Sequence, residues 1–121
     1  VVAAVNGPAV GIGITMILPC DQIVASTSAK FGSGFIKMGL VPELASSRLY
    51  VQRLGWGKAS DFVLSGRIIG GSEAAQIGLA DRVLVVSDHR IVKEIDAKDA
   101  TEEDILQAAV ARTVQPAGVA A

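Results

Sequence analysis

The sequence is poor in the residues that build redox, metal and nucleic-acid sites. Its 121 residues include one cysteine, Cys20, and one histidine, His89, and aromatic residues make up only 4%. A single cysteine excludes an internal disulfide framework and a cysteine-only metal cage, and no cluster of carboxylates accompanies the histidine. The scarcity of aromatic rings disfavours stacking platforms for single-stranded nucleic acid. We therefore expect no resident metal and no nucleic-acid partner.

An excess of charge of one sign is also lacking. Eleven basic and twelve acidic residues leave a net charge of −1, which disfavours a nucleic-acid interface built from basic patches. The chain is 50% hydrophobic and has a mean hydropathy of +0.47, which is typical of a folded domain and not of a disordered polymer. A length of 121 residues suits one small domain and is too short for two with separate cores.

The N-terminal segment contains no charge before Asp21, so it is either a membrane span or a buried segment. The sequence Asn6-Gly7-Pro8 favours a turn, which leaves about five apolar residues before it and about eleven after it, too few to cross a bilayer. No basic region precedes the apolar run, so a secretory signal fits poorly. We predict a strand over Val1–Val5 that is covered on both faces, a buried helix over Ala9–Leu18, no membrane span and a cytoplasmic location.

Short strands and helices alternate along the rest of the chain, which predicts α/β packing. We predict strands at 22–25, 29–31 and 67–69, a loop at 32–43, and helices at 45–54, 58–64 and 73–77, the last capped by Ser72. A hairpin at 83–86 and 90–95 follows, and Thr101 caps a last helix with acids in its first turn. Beyond Gln115 we expect the chain to fray.

The first candidate for chemistry is the glycine-rich turn from Gly7 to Gly13. No Gly-Lys-Ser/Thr follows it, and Met16 stands where a dinucleotide fingerprint has its third glycine, so neither phosphate motif is present. Backbone N–H groups at the start of the following helix are suited to stabilise an oxyanion or an enolate. The residues alone favour the simpler interpretation, a tight turn between a strand and a helix.

The second candidate is Glu43, which follows Pro42 in a largely apolar loop and precedes Leu44. Apolar surroundings favour the protonated form of a carboxyl group, as a general base working near neutral pH requires. The alternative is an exposed acid at the N-terminus of the next helix, and the residues alone favour it.

A serine triad would have to use His89, far along the chain from the glycine turn, and Cys20 is expected to be a buried structural thiol.

Six short motifs follow one another in a fixed order along the chain. These are Val2–Gly13, Cys20-Asp21, Ala29–Gly32, Gly39–Pro42, Leu64–Arg67 and Ala74–Leu79. Together they resemble the crotonase (enoyl-CoA hydratase/isomerase) superfamily over residues 1 to about 85. The resemblance implies a superhelix of repeated ββα turns, here a partial domain lacking the N-terminal half. It also implies an acyl-CoA substrate whose thioester oxygen accepts from two backbone N–H groups, no cofactor beyond the substrate's own coenzyme A, and a homo-oligomer, either a trimer or a hexamer.

The resemblance also assigns roles to single residues. One oxyanion donor corresponds to the N–H of Ile12, and Gly11 and Gly13 beside it fall at substrate-binding positions. The two glutamates of the typical hydratase correspond to Thr15 and Phe35, neither of which transfers a proton as a carboxylate does. Two-glutamate hydration is therefore disfavoured, and these two residues are expected to contact substrate instead.

The sequence Pro42-Glu43, followed by Ser46-Ser47, is similar to the Δ3,Δ2-enoyl-CoA isomerase branch, whose catalytic glutamate lies at this place. Shifting a double bond requires one base that removes a proton at C2 and returns it at C4 while amide donors hold the dienolate. We therefore expect Glu43 to be that base, with Pro42 at the substrate. The alternatives are a hydratase-like activity and a non-catalytic truncated or fused product. Without the second oxyanion donor, worth about 3 kcal/mol, the chain alone is expected to be impaired.

The C-terminal part resembles a different family. The segments Leu79–Val86, His89–Val92 and Ala100–Ala109 are similar to the C-terminus of sugar-importer ABC ATPases, although no ATPase motif is present and no ATP hydrolysis is implied. We place a crotonase-like core at 1–85 and a hairpin-plus-helix tail at 86–121. One alternative is a divergent crotonase C-terminus; another is that the tail carries the function, as a transporter-associated module.

Overall fold

The fold alternates short strands with helices, as the sequence predicts. The computed structural model describes residues 1–87, 90–99 and 101–110. The strands are β1 (Val2–Val5), β2 (Pro8–Val10), β3 (Gln22–Ser26), β4 (Lys30–Gly32), β5 (Ile68–Gly70), β6 (Arg82–Ser87) and β7 (Arg90–Asp96). The helices are α1 (Ile12–Thr15), α2 (Ser46–Leu54), α3 (Trp56–Ser65), α4 (Gly71–Ile77) and α5 (Glu102–Val110), with 3-10 turns at Phe35–Met38 and Ala97–Asp99.

The strands form two sheets that alternate along the chain. One has the order β1-β3-β6-β7 and the other the order β2-β4-β5. Strand β3 is parallel to β1 and β6, and β2 is parallel to β4, whereas the β4–β5 and β6–β7 pairs are antiparallel. Each of the first two pairs of strands contributes one strand to each sheet before a helix follows. This repeated ββα unit confirms the predicted α/β class.

A single hydrophobic core joins the sheets to the helices. The largest of its fully buried side chains are those of Ile14, Leu18, Ile23, Phe31, Tyr50, Phe62, Ile69, Leu79, Val83 and Val85. The rings of Tyr50 and Phe62 meet edge to face, with centroids 5.7 Å apart and planes at 64°, a favourable aromatic arrangement. Ile95 of β7 and Ile105 of α5 are buried in the same cluster, so the hairpin and the last helix pack on this core too.

The structure corrects the prediction for the N-terminal segment. The predicted helix over Ala9–Leu18 is wrong at its start, because Pro8–Val10 is extended and pairs with Lys30–Gly32. The helix consists of Ile12–Thr15 only, and Gly11 before it has φ 58 and ψ −122, which is outside the helical region. Strand β1 is not covered on both faces either, since Val2 is 60% exposed. Apolar composition alone did not distinguish pairing in a sheet from a buried helix.

The start of α4 differs from the prediction for a steric reason. Ser72 is not the cap; the helix begins at Gly71, and Gly70 precedes it without a side-chain cap. A Cβ atom at Gly71 would lie 2.0 Å from the carbonyl oxygen of Ser26, so glycine lets α4 approach the end of β3 closely.

The predicted hairpin and the predicted cap of the last helix are present in the structure. The hairpin forms with a register shift between Val85 and Val86, and the N–H of Asp104 donates to Thr101 Oγ1 over 3.2 Å, so Thr101 caps α5 as expected. The fraying expected beyond Gln115 concerns residues outside the described range. Across the described ranges, none of the helices combines the length and the apolar character that crossing a membrane requires.

Candidate active site

The glycine turn places two unpaired N–H groups at the start of α1. Gly11, with φ 58, reverses the chain after β2, and its carbonyl accepts from the N–H groups of Ile14 and Thr15, each over 3.2 Å. Among the described residues, no backbone acceptor takes the N–H of Ile12 or of Gly13. A Cβ atom at Gly11 or at Gly13 would meet nothing within 4 Å. The two donors therefore lie beside glycines at which no other part of the described chain crowds the backbone, as close approach of a ligand to an oxyanion site needs.

Glu43 reaches the site from a loop between the first 3-10 turn and α2. The two residues after it, Leu44 and Ala45, both have φ 55, a left-handed conformation that costs a non-glycine residue about 1–2 kcal/mol. The N–H of Ser46, the first residue of α2, donates to the Glu43 carbonyl over 3.0 Å. Consecutive strained residues are characteristic of segments that hold a functional side chain in place.

A hydrogen bond joins Glu43 to α1. Thr15 Oγ1 donates to Glu43 Oε1 over 2.7 Å and lies 3.2 Å from the carbonyl oxygen of Ile12. Thr15 is 0% exposed, whereas Glu43 is half-buried and therefore accessible from one side. The carboxyl group thus points to the helix that carries the Ile12 N–H and is not turned away into solvent. Three residues singled out in the sequence, Ile12, Thr15 and Glu43, lie together.

The other predicted substrate-binding residues, Phe35 and Pro42, lie on the segment between β4 and α2. Phe35 opens the 3-10 turn and is 5% exposed, and Pro42 is half-buried directly before Glu43. No hydrogen bond can link Phe35 to the Thr15–Glu43 pair, because its side chain is a hydrocarbon. The loop around them presents exposed apolar side chains, namely Ile36, Met38, Leu40, Val41 and Leu44. Such a surface is suited to an apolar acyl chain.

Three buried hydroxyl groups next to this loop were not foreseen from the sequence. Ser33 Oγ, Ser46 Oγ and Tyr50 Oη are buried and have no hydrogen-bond partner among the described residues. Burial raises the pKa of the Tyr50 hydroxyl, and the negative charge of Glu43 raises it further, while the Ser33 hydroxyl acts in the opposite direction. A signal was available: Ser46 and Tyr50 are four residues apart on the helix that follows Glu43, so they share one face.

The sequence analysis also raised His89 and Cys20. His89 lies outside the described residues, so the structure does not test a triad built on it. Cys20 has a free thiol that is half-buried and not fully buried as expected, because its segment is a turn past a short helix instead of the end of a core helix. Over the described ranges, histidine, cysteine and carboxylate side chains form no group of three or more that would suit a metal ion.

A family model for enoyl-CoA hydratase/isomerase matches residues 1–116. A probable enoyl-CoA hydratase of Mycobacterium leprae is 39% identical over 87 residues, covering 72% of this chain and 34% of that protein. A probable enoyl-CoA hydratase of Rhizobium meliloti is 39% identical over 93 residues, covering 77% of this chain and 35% of that protein. This chain therefore spans only about a third of the length of these relatives. The matched residues extend past the boundary predicted at 85, and that boundary and the ABC-like tail remain predictions.

Solved structures show the same likeness. A crystal structure of an enoyl-CoA hydratase/isomerase from Pseudoalteromonas atlantica superposes with a TM-score of 0.67 at 39% identity, over 95% of this chain and 42% of that one. A putative enoyl-CoA hydratase from Thermobifida fusca, solved in complex with acetoacetyl-CoA, gives a TM-score of 0.66 at 30% identity, over 98% of this chain and 40% of that one. The expected crotonase-like fold is thus confirmed, and the chain belongs to the enoyl-CoA hydratase/isomerase family.

Proposed function

We propose that this chain carries the proton-transfer site of an enoyl-CoA isomerase that shifts a double bond through a dienolate. The observation that carries the proposal is the 2.7 Å hydrogen bond from Thr15 to Glu43, because it holds a carboxylate against the helix whose first N–H groups are unpaired. A base beside an oxyanion site is the arrangement that proton abstraction next to a thioester requires.

The mechanism uses Glu43 twice. Its carboxylate removes a proton from C2 of the 3-enoyl-CoA, and the electron pair of the broken C–H bond moves toward the thioester oxygen to give a dienolate. The N–H of Ile12 donates to the developing oxyanion, which stabilises it in the transition state. The protonated Glu43 then returns the proton at C4, so the double bond ends conjugated with the thioester and the carboxylate is regenerated.

The neighbouring residues bind the substrate. Gly11 and Gly13 leave the space above the donors free of side chains, so the thioester can approach the backbone closely. Pro42 contributes apolar surface toward the acyl chain, next to the exposed apolar side chains of the loop, whereas Phe35, which is 5% exposed, offers the acyl chain almost no surface. Acyl-CoA is the proposed substrate class, which the acetoacetyl-CoA bound by the Thermobifida fusca relative supports. A homo-oligomer, trimeric or hexameric, is proposed from the family resemblance alone.

A hydratase-like activity is the second candidate, favoured by the names of the relatives, most of which are hydratases. In that case Glu43 would activate a water molecule that adds to the double bond of a 2-enoyl-CoA. The residues argue against it, since Thr15 and Phe35 occupy the two positions at which the typical hydratase has its glutamates. A single carboxylate is enough for the isomerisation, where the same proton leaves and returns.

An assay with two substrates distinguishes the candidates. The proteins tested are the 121-residue chain and the same chain preceded by the N-terminal residues that come before the matched region in the Rhizobium meliloti relative. We expect the extended protein to convert 3-enoyl-CoA to the conjugated 2-enoyl-CoA, followed by absorbance of the conjugated thioester, and Glu43→Gln to lower kcat about a thousand-fold.

Three results would overturn the proposal. The first is equal turnover by the extended protein and its Glu43→Gln variant. The second is hydration of crotonyl-CoA without isomerisation of the 3-enoyl substrate, which would favour the hydratase. The third is turnover of neither substrate by either protein, which would favour a non-catalytic product. Glu73→Gln is the matched control, because Glu73 lies on α4 and pairs with Arg67; it is expected to leave kcat unchanged.

A further inference from the structure

We propose that Thr15 is a positioning residue whose hydroxyl group holds Glu43 in place in both its charged and its protonated form. This inference rests on the proposed function, because it describes how the base is kept aligned between taking the proton and returning it. The carrying observation is that one buried hydroxyl lies within hydrogen-bonding distance of two acceptors, Glu43 Oε1 at 2.7 Å and the Ile12 carbonyl oxygen at 3.2 Å.

The hydroxyl has a single proton, so it can donate to only one of these acceptors at a time. When Glu43 is a carboxylate, the shorter contact of 2.7 Å takes the proton, because hydrogen bonds to a charged oxygen are the stronger ones. The Ile12 carbonyl is not left unpaired by this choice, since it also accepts from the N–H of Met16 over 3.0 Å. Turning the hydroxyl toward Glu43 therefore leaves no buried acceptor without a partner.

The contact persists when Glu43 is protonated. In the proposed step the proton taken from C2 lies on Oε2, the oxygen toward the substrate, so Oε1 becomes a carbonyl oxygen that still accepts from the Thr15 hydroxyl. The heavy atoms keep their positions, and the proton stays on the oxygen from which C4 receives it. Thr15 neither gains nor loses a proton: the C2–H bond breaks as the Glu43 O–H bond forms, and that O–H bond breaks as the C4–H bond forms.

The hydrogen bond between Thr15 and Glu43 matters because it connects the proposed base to the helix that carries the proposed oxyanion donor. Glu43 lies on the loop before α2, and its side chain is joined to α1 through the hydrogen bond with Thr15. Thr15 is on α1, three residues after Ile12, whose N–H is the proposed oxyanion donor. The hydroxyl thus fixes the distance between base and oxyanion, and a misplacement of about 1 Å in such a distance can cost a hundred-fold in rate.

The test compares Thr15→Val, which keeps the shape and removes the hydroxyl, with Thr15→Ser, which keeps the hydroxyl and removes the methyl group. Both are assayed with 3-enoyl-CoA in the extended protein described above, beside Glu43→Gln. We expect Thr15→Val to lower kcat about 10- to 100-fold with KM changed less than about three-fold. Thr15→Ser is expected to keep kcat within about three-fold of the unsubstituted protein.

A second comparison separates positioning from packing. If Thr15 acts through Glu43, adding Thr15→Val to Glu43→Gln should not lower the residual turnover further, whereas a packing defect lowers it in both backgrounds. Where Thr15→Val does not fold, judged by thermal unfolding, Thr15→Ala and Thr15→Ser replace it, and faster turnover by the serine variant is the expected result.

The outcomes also separate this inference from the proposed function. Equal kcat for Thr15→Val and the unsubstituted protein, with Glu43→Gln inactive, overturns the role of Thr15 alone. So does a serine variant as slow as the valine or alanine variant. Full turnover by Glu43→Gln overturns the proposed function itself.

Discussion

The guanidinium of Arg53 lies 3.4 Å from the carboxylate of Asp81, which ties the end of α2 to the turn before β6. The same side chain donates from Nε to the Leu18 carbonyl over 2.9 Å and from a terminal nitrogen to the Cys20 carbonyl. Asp81 in turn accepts from the N–H of Ile23 in β3 over 2.7 Å. Arg53 therefore fixes α2, which follows Glu43, against the segment that follows α1. The distance between the two halves of the candidate site depends on this network.

Replacing Arg53 with methionine should destabilise the fold. Only 15% of its side chain is exposed, and the variant leaves the Leu18 and Cys20 carbonyls without their donor. We expect a loss of about 2 kcal/mol in the free energy of unfolding, seen as a melting temperature lower by about 5–10 °C. Arg48→Met is the control, because Arg48 is an exposed arginine of the same helix. Equal melting temperatures for the two variants would contradict the role of the network.

Shortening the side chain at position 43 should slow catalysis even though a carboxylate remains at that position. Glu43→Asp removes one methylene group, so the carboxylate can no longer keep both its contact with Thr15, 2.7 Å in the present chain, and its reach to the substrate. We expect kcat for 3-enoyl-CoA to fall about 10- to 100-fold, less than for Glu43→Gln. Steady-state kinetics on the two variants check this order. An aspartate variant slower than the glutamine variant would show that the position of residue 43, and not its basicity, limits the rate.

An alanine at position 71 should be far more harmful than one at position 70. At Gly71 a Cβ atom would lie 2.0 Å from the Ser26 carbonyl oxygen, whereas at Gly70 it would meet nothing within 4 Å. We expect Gly71→Ala to cost about 3 kcal/mol, since helix α4 must move away from β3. Gly70→Ala, with φ −83 in the present chain, should change stability by less than about 0.5 kcal/mol. Chemical denaturation of both variants measures the difference, and similar midpoints would argue against a close helix–strand approach.

The order of the elements could be predicted from sequence because turn residues and helix caps are local signals. The helix capped by Thr101 and the hairpin before it were found in this way. The segment Pro8–Val10 was missed because its strand exists only through pairing with Lys30–Gly32, twenty-two residues away in register. No periodicity in a short apolar segment reports such a partner.

In the candidate site, too, single residues could be predicted from sequence motifs, whereas contacts and burial could not. Ile12 and Glu43 were identified from motifs, and their catalytic roles stay predictions. The hydrogen bond between Thr15 and Glu43 joins residues 28 positions apart, so Thr15 was interpreted as the place of an absent glutamate and as a substrate contact, but not as a partner of Glu43. The buried hydroxyls of Ser46 and Tyr50 were missed as well, because burial depends on how α2 packs and not on residue type.

Tyr50 should make the fold sensitive to alkaline pH. Burial, and next the charge of Glu43, raise the pKa of its hydroxyl above the ordinary value of 10.0. The folded state then keeps its proton at a pH where the unfolded chain has lost it. Stability is accordingly complete below about pH 10 and falls above it, by about 1.4 kcal/mol per pH unit until the folded pKa is reached.

Tyr50→Phe tests this directly. The variant should lose the component of alkaline unfolding that begins near pH 10.0, because phenylalanine has no hydroxyl group to ionise. Tyr50 is the chain's one tyrosine, so phenolate absorbance follows this group alone. Ionisation at the same pH in the folded and the unfolded protein would contradict the buried environment. A destabilised phenylalanine variant would show instead that the hydroxyl is hydrogen-bonded in solution.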